Sequence, residues 1–122
     1  MCSSDLLLTP AADADAKRFY GQAIGNSASG LVAKRSFPIG AGYGLRFRDD
    51  QRASTPYRVC AFFNGRRRGR CLSGRTGSRP GASSNKNSFD AFNPQQTGRL
   101  TWRWYVGGKA VARWTVRITI GD

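Results

Sequence analysis

From Gly30 onward, apolar and polar residues alternate with a period of two, which puts one set of side chains on a single face of an extended strand. The pattern is clearest near the end of the chain. In GRLTWRWYV (98–106), Leu100, Trp102, Trp104 and Val106 share one face, and Thr101, Arg103 and Tyr105 the other. In AVARWTVRITI (110–120), Ala110, Ala112, Trp114, Val116, Ile118 and Ile120 are expected inward, and Arg113, Thr115, Arg117 and Thr119 outward. One buried and one wet face is the mark of antiparallel sheet. A strict two-residue turn at Gly107-Gly108 would pair Val106 with Lys109 and throw the two apolar sets onto opposite faces. The hairpin therefore requires a three-residue loop or a bulge, bringing Trp104 near Ala112 and Trp102 near Trp114. Trp102, Trp104 and Trp114 are expected as core anchors, each contributing on the order of 2–3 kcal/mol by burial. The competing reading makes them an exposed platform for stacking a ligand.

Upstream, Leu31 to Phe37 reads as a strand and PIGAGYG (38–44) as an irregular connection. Leu45 and Phe47 alternate with Arg46 and Arg48 in a second strand that Asp49-Asp50 ends. Tyr57 to Phe63 and Gly69 to Ser73 read as a hairpin closed through NGRR (64–67). GSRPGASSNKN (77–87) has the composition of a surface loop, and Ser88 to Phe92 is a short apolar stretch. Before Gly30 the period changes. Ala12, Ala16, Phe19, Tyr20, Ala23 and Ile24 recur at three- and four-residue spacing, with Thr9 as N-cap, Pro10 in the first turn and Gly25-Asn26 as a left-handed stop. That spacing predicts a short helix; linker is the alternative, given the Ala-Asp-Ala-Asp run.

The opening MCSSDLLLTP does not read as a signal peptide. Asp5 precedes the leucines, the apolar run is only Leu6, Leu7 and Leu8, and Pro10 closes it. Cys-Ser-Ser-Asp-Leu is the translation of a common sequencing-adapter end. Residues 1–5 are therefore expected to be a non-native scar on a fragment of an environmental, metagenomic gene, making no core contact. The expected organisation is scar at 1–5, helix or linker at 6–29 and one β domain at 30–122. No stretch approaches the roughly 18 apolar residues of a membrane span, so no membrane insertion is expected.

Charge changes the picture only in part. Lysine and arginine number 20 against 7 acids, a formal net charge of +13. All but Lys17, Lys34, Lys86 and Lys109 are arginines, every acid is aspartate, and histidine is absent. Arginine with abundant alanine and glycine follows from GC-rich codon usage, so the total charge alone does not name a polyanionic partner.

Cys60 and Cys71 flank AFFNGRRRGR symmetrically, and a hairpin closed at its middle sets them opposite one another within disulfide reach. A disulfide implies an oxidising location outside the cytoplasm. A reactive thiol beside Arg70 is the alternative. Zinc would want four ligands, and two usable cysteines without histidine do not supply them.

The run YRVCAFFNGRRRGRC, a Gly-Ser-rich loop, then GRLTWRWYVGGKAVARWTVRI resembles Ig-like β-sandwich domains of secreted proteins from high-GC Gram-positive bacteria. The resemblance covers about residues 37–120 and rests mainly on Trp-x-Trp-Tyr-Val-x-Gly-x-x-Val-Ala-x-Trp beside the two-cysteine hairpin. It implies an all-β, Ig-like antiparallel sandwich of about seven strands. It departs from antibody-type domains, because the disulfide would staple neighbouring strands instead of crossing between sheets.

Two functions are then in view. The first is a non-catalytic extracellular or cell-wall-associated module: a spacer, adhesion or ligand-binding domain of a larger secreted protein. No histidine, glutamate, P-loop or nucleophile elbow is present, so no catalytic residue, cofactor or metal is assigned. Asp49-Asp50 alternate in facing and read as a strand cap or turn; a calcium site there would lack further oxygen ligands. The second function is binding of a polyanion, a cell-wall phosphate polymer or nucleic acid, through Arg66, Arg67, Arg68 and Arg70 at the hairpin tip. No nucleic-acid-binding motif accompanies them.

Overall fold

The computed structural model describes residues 17–120, and its first element is a strand, β1 (Phe19–Ser27), where helical spacing predicts a helix. Four-residue spacing is also even, so the pairs Phe19/Ala23 and Tyr20/Ile24 satisfy a period of two equally well. Gly21 and Gly25 decide between the periods, since each would cost a helix about 1 kcal/mol. In the strand Gly21 is used: a Cβ there would lie 2.4–2.7 Å from the Trp104 ring. The earlier part of the predicted helix and the expected scar at 1–5 lie outside the described residues.

The predicted strand at 31–37 is divided between two layers. β2 (Gly30–Ala33) returns along β1, and β3 (Ser36–Pro38) joins the other sheet. The change of layer falls at Lys34-Arg35. Lys34 N–H still donates to the Ala23 carbonyl at 2.9 Å, while the Arg35 carbonyl already accepts from Arg117 N–H at 2.7 Å. The remaining strands are β4 (Gly44–Asp49), β5 (Pro56–Phe63), β6 (Arg66–Arg75), β7 (Ser84–Asn87), β8 (Gly98–Val106) and β9 (Lys109–Thr119). One sheet has the order β2-β1-β4-β7, the other β3-β9-β8-β5-β6. The described residues thus form an all-β, two-layer sandwich of nine strands, against about seven expected. It is antiparallel except for the parallel pair β3–β9.

β7 lies within the stretch whose composition reads as loop. SNKN has no apolar alternation because it is a sheet edge, held by backbone pairing to β4 and by a 2.8 Å hydrogen bond between the Tyr57 and Ser84 hydroxyls. The Ser88–Asp90 segment after it is a 3-10 turn capped by Asn87, whose side chain accepts from Phe89 N–H at 3.0 Å.

Between the layers, Leu45 and Phe47 of β4 meet Val59, Ala61, Leu100, Trp102, Trp104, Val116 and Ile118 of the larger sheet. Trp104 stacks parallel to Phe47 with centroids 6.2 Å apart. Tyr43 stacks on Phe37 at 3.8 Å and meets Trp102 edge-on. The β8–β9 hairpin resolves its phase problem with a bulge. Gly107-Gly108 makes the two-residue turn, Val106 does pair with Lys109, and Val111 is the extra residue that restores Trp104 opposite Ala112 and Trp102 opposite Trp114. Two residues expected inward are corrected by the same geometry. Ala110, before the bulge, pairs with outward Tyr105 and is exposed; Ile120, beyond the last pairing, is 86% exposed.

Candidate functional site

The two-cysteine hairpin turns at Asn64-Gly65 and not through four residues. Both have positive φ, 50° and 88°, the combination that suits a two-residue hairpin and that Asn-Gly adopts readily. Arg66, Arg67 and Arg68 then pair with Phe63, Phe62 and Ala61, and the register shifts between Val59 and Ala61. That irregularity brings Cys71 opposite Cys60, with Cα atoms 4.3 Å apart and an S–S bond of 2.00 Å. Since Val59 and Ala61 face the core, the disulfide lies on the outer face of the larger sheet.

The four arginines expected at a loop tip therefore stand in β6, the edge strand, and do not form one cluster. All four are exposed. Arg66 and Arg68 take the side of core-facing Phe63 and Ala61, and Arg67 takes the opposite side with Phe62. Arg68 lies over the Phe92 ring at 5.5 Å, and Arg70 Nε donates to the Asp90 carbonyl at 2.9 Å.

A larger basic array lies elsewhere. The outward positions of β8 and β9 pair Arg99 with Arg117, Thr101 with Thr115 and Arg103 with Arg113. On the neighbouring strands Arg58 stands opposite Tyr105, and Arg67 opposite Phe62. With Arg75 opposite Pro56, the outer face of the five-stranded sheet thus carries seven arginines. The acids among the described residues are Asp49, Asp50 and Asp90, and none is on it. A groove of about 620 Å³ opens at one end of this face, between Arg35, Arg99 and Arg117, with Thr97, Thr115 and Thr119 in its wall. Arg35 is held in place there: its guanidinium lies 3.4 Å from the Trp114 ring centroid, and Nη1 donates to the Thr115 carbonyl at 3.3 Å. The array was derivable from sequence, because pairing Trp102 with Trp114 also sets Arg103 against Arg113 and Arg99 against Arg117.

The two adjacent aspartates separate as alternation demands. Asp50 is on the surface with Arg48, Nε to Oδ1 2.8 Å. Asp49 is buried and accepts a bidentate fork from Arg18 at 2.8 and 2.9 Å, the Thr55 hydroxyl at 2.6 Å and Gln51 N–H at 2.9 Å. The Arg18 fork holds its carboxyl well below the ordinary range against the opposing effect of burial. A carboxylate so committed serves the fold. No three His, Cys, Asp or Glu side chains gather among the described residues.

The tryptophans differ in placement. Trp102 and Trp104 are fully buried, and Trp102 Nε1 donates to the Tyr43 hydroxyl at 3.2 Å. Trp114 is half-buried, its Nε1 donating to the Lys34 carbonyl at 2.8 Å and its ring covered by Arg35.

No family model matches the chain, and no curated protein matches it in sequence. Among solved structures, the chain is similar to the CARDB domain of the PF1109 protein from Pyrococcus furiosus in complex with di-metal ions. The identity is 11% over 84% of this chain and 92% of that one, with a TM-score of 0.48. A solution NMR structure of the same domain gives 11% identity, 85% and 98% coverage and a TM-score of 0.41. The alkylpurine DNA glycosylase AlkC of Pseudomonas fluorescens, bound to DNA containing an abasic site analog, is 8% identical over 84% of this chain and 31% of that one, with a TM-score of 0.44. At such identities and scores no residue's role follows from these likenesses.

Proposed function

We propose that the chain is a non-catalytic module of a larger secreted or wall-associated protein, an Ig-like sandwich serving as spacer, adhesion or ligand-binding domain. The observation that supports this most is the Cys60–Cys71 disulfide, since such bonds persist in oxidising compartments and are rare where thiols are kept reduced. The placement of the aspartates supports it further: Asp49 is locked to Arg18 and Asp50 is paired with Arg48, which leaves neither as a free general base. Thiol titration of the denatured, unreduced chain, purified aerobically, is expected to find at most the one thiol of Cys2. Three free thiols would overturn the compartment assignment.

A second function, binding of a polyanion, is favoured by one observation: Arg66, Arg67, Arg68 and Arg70 are exposed, and none has an acidic side-chain partner among the described residues. Binding that falls steeply with added salt is the expected signature, and absence of binding at low salt removes it.

A further inference from the structure

We infer that the outer face of the five-stranded sheet, and not the β6 arginines as a unit, is a docking surface for an extended phosphate polymer, gripped through its phosphates; this rests on the polyanion function proposed above. Two cross-strand pairs carry the inference. Arg99 stands directly opposite Arg117, and Arg103 opposite Arg113. Like charges in that relation destabilise a sheet, and no carboxylate among the described residues lies on the face to relieve them. An arginine-rich composition explains how many arginines there are. It does not explain two opposed pairs on one face without a carboxylate partner among the described residues, when the other sheet pairs its outward Arg48 with Asp50. An anionic ligand supplies the missing charge.

The geometry narrows the ligand. Opposed residues have Cα atoms about 4.5–5.5 Å apart, so the two guanidiniums of a pair can converge on one group. The lone pairs of a carboxylate lie in a single plane, whereas a tetrahedral phosphate offers oxygens out of any one plane, to forks arriving from two strands. From Arg99 to Arg103 is four residues, roughly 13–14 Å along the strand. That is far more than one phosphate spans, so a ligand engaging both pairs is a polymer. The groove beside Arg35, Arg99 and Arg117 starts its path, and the hydrogen-bonded Thr101–Thr115 hydroxyls, 2.9 Å apart, lie midway. Bases have little to stack on. Phe62 lies under the Arg103 guanidinium at 4.5 Å and Trp114 under Arg35, which leaves Tyr105 as a single ring at the rim.

The test uses inorganic polyphosphate and the full chain. Arg99→Gln/Arg103→Gln/Arg113→Gln/Arg117→Gln is expected to weaken binding at least tenfold. By the single-strand coefficient it should also flatten the slope of log affinity against log salt by about 2.8. Arg46→Gln/Arg66→Gln/Arg68→Gln/Arg79→Gln, with equal loss of charge, is expected to cost less than threefold. Equal effects of the two sets, or a larger effect of Arg66→Gln/Arg67→Gln/Arg68→Gln/Arg70→Gln, would overturn the inference while leaving polyanion binding intact. No binding of wild type at low salt would instead remove polyanion binding itself. Guanidinium Nε–H resonances of the wild-type protein give a readout that does not depend on a variant folding. Arg99, Arg103, Arg113 and Arg117 should shift first on titration, and a first shift at Arg46 or Arg66 refutes the assignment. Poly-glutamate or heparin binding as tightly as polyphosphate, or oligothymidylate binding tenfold tighter per phosphate, would replace phosphate recognition by bulk charge or by reading of bases.

Discussion

Asp49 shows how much a single side chain can hold when its partners come from afar. Its carboxylate joins Arg18, 31 residues upstream, to Thr55 and the backbone at Gln51, with no exposure to solvent. Because the folded pKa is depressed, its contribution is present above the unfolded value near 4 and is withdrawn as pH falls toward the folded value. The urea midpoint should therefore drop on acidification from pH 5 to pH 2, and Asp49→Asn should flatten that drop. Asp49→Ala, which strands the Arg18 fork, should cost about 3 kcal/mol in a denaturant melt. Tyr43, pushed up to about 12 by burial, stays neutral across this range. The tryptophans can be ranked in the same melt. Trp102→Ala should cost about 3–5 kcal/mol, and Trp114→Ala about half as much, because Trp102 is fully buried and Trp114 only half-buried. Equal losses would contradict the difference in burial. Inward facing of Trp102 and Trp104 was readable from alternation. Alternation with Leu45 and Phe47 puts Asp49 on the same face, but its burial was not readable, because its partner Arg18 is invisible at that distance.

Strands with one apolar face, β4, β5, β8 and β9, were legible, because alternation with large side chains admits one phase only. β1, β3 and β7 were not. β1 satisfies two periods at once, β3 is cut from β2 by a change of layer that leaves no compositional mark, and β7 is a polar edge held by backbone pairing. The β5–β6 hairpin was legible in its cysteines yet misread at its turn, where Asn64-Gly65 is a sufficient signal by itself. Its disulfide closes a segment of 11 residues, and the chain-entropy relation assigns such a loop about 3 kcal/mol. Reduction, or Cys60→Ala/Cys71→Ala, should lower the unfolding free energy by that amount without changing the far-ultraviolet spectrum. A spectrum that collapses at once would mean the hairpin forms only when cross-linked.

The chain as a whole carries +13 formal charges, and its larger sheet concentrates seven of the arginines on one face. Self-repulsion of this kind opposes compaction and is screened by salt, with a Debye length falling from about 30 Å at 0.01 M to about 10 Å at 0.1 M. The melting temperature should therefore rise with sodium chloride over that interval. Arg99→Gln/Arg113→Gln, which removes one member of each opposed pair, should raise low-salt stability by about 0.2–1 kcal/mol per pair and lose that advantage in high salt. A melting temperature independent of salt would show that the pairs do not repel measurably. The sum of charges does not disclose the array; it follows from the β8–β9 register, in which Trp102 opposite Trp114 also sets Arg103 against Arg113 and Arg99 against Arg117.

β6 has a further consequence as the open edge of its sheet. Apart from Arg70 N–H, which donates to the Ala91 carbonyl at 3.1 Å, its outer backbone groups have no strand partner among the described residues and are a template onto which another strand, such as a second copy of β6, can add. Antiparallel pairing of two such edges would bring both sets of Arg66, Arg67, Arg68 and Arg70 well within a Debye length of one another. The same arginines should therefore oppose self-association through this edge, and only while they are poorly screened. Replacing all four by glutamine should open the edge to concentration-dependent self-association in sedimentation velocity, under low-salt conditions in which the wild-type chain is expected to sediment as a single species.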